Sequence, residues 1–212
     1  MSTLPAKKED VYQSYYLEHQ RRKKRLLNSV PIQLGRSFQE ILIERRSQRI
    51  FTSKSVDPKT LAFLLESAVY APSSCNRQAV WVSLYDDPKD ISHLEQILVG
   101  GKGWLDAAPH VILLYADMLA YKSPVEKDFM PWLDIGVMVQ TLLLTAEDMH
   151  LGACYVNPNI RTEFTEFFTE HFRPREFLLF GGAIAIGHYD LKAETPPKRA
   201  SAYLGKEDDN RC

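Results

Sequence analysis

The sequence predicts a mixed helix-and-strand fold, of the α/β or α+β class, because helical and strand patterns alternate along most of the chain. Continuous apolar or β-branched runs at residues 80–85 and 111–116 have the length and composition of buried strands. Other segments begin at a capping residue followed by proline and carry apolar residues three and four positions apart, which indicates helices. This alternation excludes an all-helical architecture.

Individual elements follow from these local signals. In the helix predicted for residues 55–70, Asp57 is placed to cap the N-terminus and Pro58 occupies the first helical position. We expect a long apolar helix to open at Pro131 and end near His150. The remaining expectations are helices at 37–46, 87–99 and 162–172, and strands at 152–156 and 178–186.

Composition bounds the class of protein. The 212 residues suit one domain with an appendage, and 45% hydrophobic and 25% charged residues are typical of a globular protein. With a net charge of −1, the whole chain lacks the excess of positive charge that is typical of nucleic-acid-binding proteins. Three scattered cysteines indicate a reducing compartment, and no signal peptide is visible, so we expect a cytoplasmic protein without a membrane partner. The apolar run at 135–146 is too short for a bilayer span.

The N-terminal segment differs in charge from the rest. Residues 1–26 hold seven Lys or Arg against three Asp or Glu, a net charge of +4, which leaves −5 for the remainder. Residues 6–27 read as an amphipathic helix with a basic run at 20–25, either a solvated face or a surface for an anionic partner. We therefore divide the chain into a basic helical extension (1–36), a main domain (37–205) and a tail (206–212).

A cluster of basic residues carries the strongest functional signal. Arg45, Arg46 and Arg49 surround Ser47, and three guanidiniums with a hydroxyl suit a phosphate group. A solvated basic helix end would give the same pattern. A second basic pair, Lys198-Arg199, follows near the end of the chain and could join the same anion site.

The loop at residues 71–78 is the second informative feature. Ser73 and Ser74 are small enough for close backbone approach to a ligand. Asn76 and Gln78 offer donors and acceptors that could form hydrogen bonds with the edge of a heterocycle. The same residues could simply cap a turn. Cys75 lies in this loop as a conceivable nucleophile, but no base is adjacent in sequence.

Several common sites are not supported by the sequence. The six histidines show no metal-ligand spacing, so we expect no metal site. Gly100 to Gly103 lacks the spacing of a phosphate-binding P-loop, and the glycines at 181, 182 and 187 do not form a Rossmann turn.

Taken together, four segments resemble the nitroreductase family of flavin enzymes. The segment 45–49, Arg-Arg-Ser-Gln-Arg, is similar to that family's Arg-Arg-Ser-x-Arg opening, and 71–78 is similar to its Ala-Pro-Ser-x-x-Asn-x-Gln loop. Residues 133–136 with 151–154 resemble its central helix and the following strand, and 196–199 resembles its C-terminal Pro-x-x-Arg. The sequence departs from the family where Ala79 and Val80 replace a usual Pro-Trp and where His150 replaces a frequent Gly.

The resemblance implies a homodimeric α+β fold with a central, mostly antiparallel sheet and FMN bound between subunits. It places phosphate and ribityl contacts on the arginine cluster and the C-terminal basic pair, flavin contacts on the loop of the other subunit, and backbone contacts near flavin N5 at Asn157-Pro158. The implied cofactor-binding residues are Arg45, Arg46, Ser47, Arg49, Pro72, Ser73, Ser74, Asn76, Arg77, Gln78, Asn157, Pro158, Lys198 and Arg199.

The resemblance also implies a reaction, in which hydride passes from NADH or NADPH through flavin N5 to an electron-poor acceptor such as a nitroaromatic or quinone, in a ping-pong scheme. Arg49 or Arg77 could stabilise charge near flavin N1, and no side chain is expected to be an essential acid or base. Two alternatives remain open at this point. One is specialised flavin chemistry (dehalogenation, flavin destruction or heterocycle oxidation), and the other is a non-catalytic flavin-binding or interaction protein.

Overall fold

A four-stranded antiparallel sheet forms the centre of the molecule. The computed structural model describes residues 36–196, so the predicted N-terminal helix (6–27), Lys198, Arg199 and the tail lie outside this range. The strands run in the order β1-β2-β4-β3, with every neighbouring pair antiparallel. Their bounds are β1 Val80–Tyr85, β2 His110–Asp117, β3 Gly152–Val156 and β4 Leu178–Gly187. All four predicted strands and the mixed fold class are therefore confirmed.

Five α-helices flank this sheet within the described residues, and the first four begin at a residue whose side chain caps the helix. They are α1 Phe38–Glu44, α2 Pro58–Ser67, α3 Pro88–Ile97, α4 Pro124–Asp148 and α5 Thr165–His171. The carboxylate of Asp57 accepts hydrogen bonds from the backbone N–H groups of Lys59 and Thr60, as predicted for the start of α2.

The long helix α4 begins seven residues earlier than the sequence analysis predicted. Its N-cap is Ser123, which forms a capping box with Glu126, and Pro124 takes the first helical position. Pro131 lies inside the helix, so its choice as the helix start was wrong. The serine-proline pair with glutamate three residues after the serine is a complete N-terminal signal, and the apolar run that follows Pro131 obscured it.

With 25 residues, α4 is long and apolar enough to cross a membrane by length and composition. The sequence analysis, which considered only the apolar run at 135–146, therefore underestimated the length of this helix. Its packing marks it as a core helix, because it contacts all four strands and buries Ile135, Leu142 and Ala146. The opposite face of the helix stays exposed, including Phe129 and Leu133.

The end of α4 sets the position of β3. His150 has a φ of 57°, and its N–H bonds the carbonyl of Glu147, while the N–H of Leu151 bonds the carbonyl of Ala146. This is a Schellman ending with a histidine where glycine is usual. The chain therefore reverses at once into β3.

Two apolar cores cover the two faces of the sheet. One contains the packed residues of α2 and α4 with Ile112, Leu114 and Ile184, and the other joins α3 and α5 to Val111 and Leu113. Neighbouring residues of β2 thus point to opposite cores, as the two-residue period of a strand requires. Both faces are closed, which leaves the edges of the sheet as places where functional groups can be exposed.

Candidate functional site

The predicted arginine cluster lies along the β3 edge of the sheet. Ser47 forms a parallel bridge with Ala153, and the N–H of Gln48 donates to the carbonyl of Ala153 at 3.0 Å. Arg45 ends helix α1, its N–H bonding the carbonyl of Ile41. We call residues 45–50 the arginine edge. Its backbone is fixed by the sheet on one side and by a helix end on the other.

Three of its residues lie near the thiol of Cys154 on β3. Burial raises the pKa of this thiol, while the charge of Arg49, a hydrogen bond from Ser47 and the charge of Arg45 oppose that rise. Cys154 is buried. The same residue of β3 is therefore influenced by two guanidiniums and a hydroxyl of the arginine edge.

Arg46 joins the arginine edge to a distant part of the chain. Its guanidinium donates to the carbonyl of Ile43 at 2.7 Å and to the hydroxyl of Thr195 at 2.5 Å. The chain thus returns to the arginine edge near its C-terminal end. The predicted partners Lys198 and Arg199 follow Thr195 by three and four positions, outside the described residues.

Arg49 is exposed and stacks on an aromatic ring. Its guanidinium carbon lies 5.6 Å from the ring centroid of Trp104, whose indole N–H donates to the carbonyl of Gly100 at 2.9 Å. A Cβ placed on Gly100 would lie 3.4 Å from the side-chain nitrogen of Asn157. The arginine edge and the predicted Asn157-Pro158 segment are therefore linked through the loop that carries Trp104.

The charge of this edge is not neutralised locally. Within residues 36–196, no carboxylate forms an ion pair with Arg45, Arg46 or Arg49, whereas Arg36, Arg77 and Lys192 all have acidic partners. Three uncompensated guanidiniums beside a serine fit a phosphate group, because guanidinium forks bind phosphate oxygens in pairs. The residues present thus suit the phosphate end of a flavin mononucleotide.

The second predicted cluster lies at the opposite edge of the sheet. We call residues 71–78 the loop edge, because they lead directly into the outer strand β1. The N–H and the hydroxyl of Ser74 both donate to one oxygen of Asp134 at 2.8 Å, and the hydroxyl of Tyr121 donates to the other oxygen at 2.9 Å. Asp134 is 4% exposed. A single buried carboxylate on α4 therefore anchors the loop.

The loop backbone is held in an uncommon conformation. Cys75, Asn76 and Gln78 each have a φ of 53°, a value that costs energy for residues other than glycine. The hydroxyl of Ser73 accepts the N–H of Gln78 at 2.8 Å, which stabilises the turn. An apolar cavity of about 140 Å³ opens beside Pro72, Ser73 and Gln78. Cys75 and Asn76 are exposed, so the loop presents a shaped surface.

Arg77 differs from the arginines of the other edge. Its guanidinium pairs with the carboxylate of Glu126 at 2.9 Å and lies over the ring of Tyr121. The side chain is largely covered, at 13% exposed. Its charge is thus already compensated within the subunit.

One chain does not bring the two edges together. From β1 through β2, β4 and β3 to Ser47 there are four strand spacings, roughly 19 Å. The predicted residues therefore form two half-sites, one on each outer edge.

The sequence analysis missed three residues of these half-sites. Gln48 occupies the variable position of the arginine motif, and Trp104 lies in a glycine-rich break, so neither had a local signal. Asp134 did have one, since an aspartate between apolar neighbours in a buried helix needs a partner.

The comparisons with known proteins agree with this geometry. The Nitroreductase family model matches residues 42–101 and 93–188. An FMN reductase [NAD(P)H] of Bacillus subtilis is 30% identical over 175 residues, covering 73% of this chain and 67% of the relative. An FMN reductase (NADPH) from the same organism is 25% identical, covering 76% of this chain and 70% of the relative.

A solved structure extends the likeness to three dimensions. A nitroreductase-like protein of Desulfovibrio desulfuricans, crystallised in complex with FMN, has a TM-score of 0.66 and 25% identity, with 78% of this chain and 94% of that chain covered. The antiparallel sheet accords with these matches. This chain belongs to the nitroreductase family.

Proposed function

We propose that this chain is a homodimeric, FMN-dependent NAD(P)H oxidoreductase that reduces an electron-poor acceptor, a nitroaromatic or a quinone, by a ping-pong scheme. Family membership makes it a flavin-dependent oxidoreductase, since its curated relatives are FMN reductases and an NADPH-flavin oxidoreductase of Vibrio harveyi. The observation that carries the finer proposal is the arginine edge, where three guanidiniums without an acidic partner among the described residues surround a serine.

The arginine edge binds the phosphate and ribityl chain of FMN. Arg45, Ser47 and Arg49 lie near Cys154, and the guanidinium of Arg46 is held by the hydroxyl of Thr195. We assign Lys198 and Arg199 to the same site, because the chain returns to this edge immediately before them.

The loop edge of the partner subunit shapes the flavin ring pocket. The two edges of one chain lie too far apart to close on the same ring, so Pro72, Ser73, Ser74, Asn76 and Gln78 act across the dimer. The internal bonds of Ser74 to Asp134 leave its backbone as a rigid wall of the pocket.

The dimer forms along the exposed face of α4. Five large apolar side chains recur there at helical spacing and are 38–68% exposed: Val125, Phe129, Trp132, Leu133 and Val137. A continuous apolar stripe of this kind marks an association surface. The face runs along the same helix that anchors the loop edge through Asp134, so dimerisation and site assembly are coupled.

Bound FMN would supply the hydride-transfer chemistry between NADH or NADPH and the acceptor. The chain positions the reactants and stabilises charge, and no side chain is assigned as an essential acid or base. Arg49 supplies positive charge to the phosphate of FMN. Arg77 is not assigned this role, because its charge is already neutralised by Glu126. The backbone at Asn157-Pro158, next to the loop that carries Trp104, would contact the flavin ring.

An absorbance spectrum of the purified protein, followed by anaerobic addition of NADPH or NADH, tests this proposal. Flavin bands that bleach with either nucleotide and return on adding a quinone are expected. Bands that persist unbleached would instead favour specialised flavin chemistry. A colourless protein that fails to take up FMN would overturn the proposal.

The dimer is tested separately by size-exclusion chromatography with light scattering. Leu133→Glu, on the exposed face of α4, is expected to give a monomer that no longer retains FMN. Leu119→Glu is the matched control, because Leu119 is still more exposed and lies off this helix. A dimeric Leu133→Glu protein with normal flavin content would contradict the placement of the interface.

A further inference from the structure

We propose that Gln48 is a positioning residue of the anion site, which locks the C-terminal segment 191–195 onto the arginine edge. This inference rests on the proposed function, because it assigns a role within the phosphate site. Gln48 contacts no ligand in this assignment and acts through the groups that it holds. It fills the variable position of the motif, where sequence alone gave it no role.

The carboxamide of Gln48 is buried and fully engaged. Its nitrogen donates to the carbonyls of Ile50 at 2.7 Å and Leu191 at 3.1 Å, and its oxygen accepts the N–H of Ala193 at 2.9 Å. The residue is 3% exposed. One side chain therefore joins the backbone of the arginine edge to two backbone groups about 145 positions further along the chain.

These bonds require an amide at this distance from the backbone. Two carbonyls need two donors and the N–H of Ala193 needs an acceptor, a combination that glutamine supplies and glutamate does not. The stem is closely packed as well, since a Cβ on Gly152 would lie 2.6 Å from Cγ of Gln48. Asparagine, shorter by one methylene, would not reach both partners from the same backbone position.

The segment 191–195 is held at further points on the same side. The ammonium of Lys192 pairs with the buried carboxylate of Glu147 at 2.6 Å, and Glu147 also accepts from Arg36 at 2.8 Å. Thr195 then receives the guanidinium of Arg46. Gln48 fixes the backbone at residues 191 and 193, and the ion pair with Glu147 fixes the side chain of Lys192 between them.

The consequence for phosphate binding follows from the geometry. Thr195 lies two residues after Ala193, so its hydroxyl reaches Arg46 only while the segment stays in place. Loss of the carboxamide releases this partner and turns one guanidinium out of its position. The flavin ring is contacted at other residues, so its binding should be unaffected.

Comparison of FMN with riboflavin isolates this effect, because the two ligands differ only in the phosphate. In the full-length protein freed of flavin, Gln48→Ala is expected to weaken FMN binding about tenfold and to leave riboflavin affinity unchanged. Thr195→Val, which removes only the partner of Arg46, should weaken FMN binding by about threefold. Ser67→Ala, a buried hydroxyl in α2 bonded to the carbonyl of Leu64, is the matched control with both affinities retained.

A measurement without flavin separates this inference from the proposed function. Hydrogen exchange of residues 188–196 is expected to accelerate in Gln48→Ala and to stay at the wild-type rate in Ser67→Ala. Faster exchange in a protein that binds no FMN would overturn the proposed function and uphold the tether. If Gln48→Ala weakened FMN and riboflavin equally, or left the FMN to riboflavin ratio and the exchange unchanged, the positioning role would be refuted.

Discussion

The two edges of the sheet present their functional groups in opposite ways. The arginine edge has an extended backbone joined to β3, and its guanidiniums lack acidic partners within the described residues. The loop edge has a constrained backbone, and its cation, Arg77, is paired with Glu126. One edge thus supplies uncompensated charge and the other a fixed shape. A flavin mononucleotide needs both, an anion site for its phosphate and a planar slot for its ring.

The edges also differ in how they are stabilised. Several independent contacts hold the arginine edge, including the bridge to Ala153 and the carboxamide of Gln48, so loss of any one leaves the others. The loop edge depends on Asp134, where three donors meet one buried carboxylate. We therefore expect single substitutions to damage the loop edge through stability and the arginine edge through affinity.

The largest effect is expected at Asp134. Asp134→Ala removes the shared acceptor of the Ser74 N–H, the Ser74 hydroxyl and the buried Tyr121 hydroxyl, which should lower the free energy of unfolding by about 3 kcal/mol. Asp134→Asn keeps the size of the side chain and one acceptor, so it should lose less. Urea denaturation followed by circular dichroism measures both variants. A loss below about 1 kcal/mol for Asp134→Ala would remove the contrast between the edges.

The next effect distinguishes the arginines of the two edges. Arg49→Ala removes an uncompensated charge and should weaken FMN binding about thirtyfold, a typical cost for a lost charged hydrogen bond. Arg77→Ala should change FMN affinity little, because its guanidinium already pairs with Glu126. Flavin fluorescence titration of the two variants gives the comparison. Equal losses would mean that Arg77 also supports the bound flavin.

Most of the fold could be predicted because its signals are local. Asp57-Pro58 starts α2 in the structure as in the sequence, and β1 has the predicted bounds. The exception is α4. The capping signal at Ser123 was present, but the apolar stretch after Pro131 led to a predicted start seven residues too late. Strand order was not readable from the chain itself and came with the family resemblance.

The residues of the candidate site likewise fall into those with a local signal in the sequence and those without one. Residue types with intrinsic chemistry, such as Arg49 and Ser47, stand out in a sequence whatever surrounds them. Gln48 and Asp134 owe their importance to partners up to 145 and 60 positions away, which no local pattern encodes. The separation of the half-sites likewise depends on which strands form the outer edges. Sequence thus points more readily to the groups that we propose to contact the ligand than to the groups that hold them in place.

The smallest predicted effect concerns pH and falls on the arginine side alone. His110 is 4% exposed, and its Nε2 accepts the N–H of Val56 at 3.2 Å, while the carbonyl of His188 accepts the N–H of Thr52 at 2.8 Å. These contacts hold the segment that continues from the arginine edge. Burial lowers the pKa of His110, Asp86 opposes this shift and His188 adds to it. Burial also lowers the pKa of His188.

A lowered histidine pKa means that, just below the ordinary value of 6.5, the unfolded chain binds protons that the native state does not. Stability is therefore complete above this value and falls as the pH decreases below it. Hydrogen exchange at pH 7.5 and 5.5, corrected for intrinsic rates, should show protection lost at residues 50–56 and retained at 71–78. His110→Gln keeps an acceptor for Val56 and should flatten this dependence. An equal loss at both segments would show that acid weakens the whole domain and that His110 holds no particular edge.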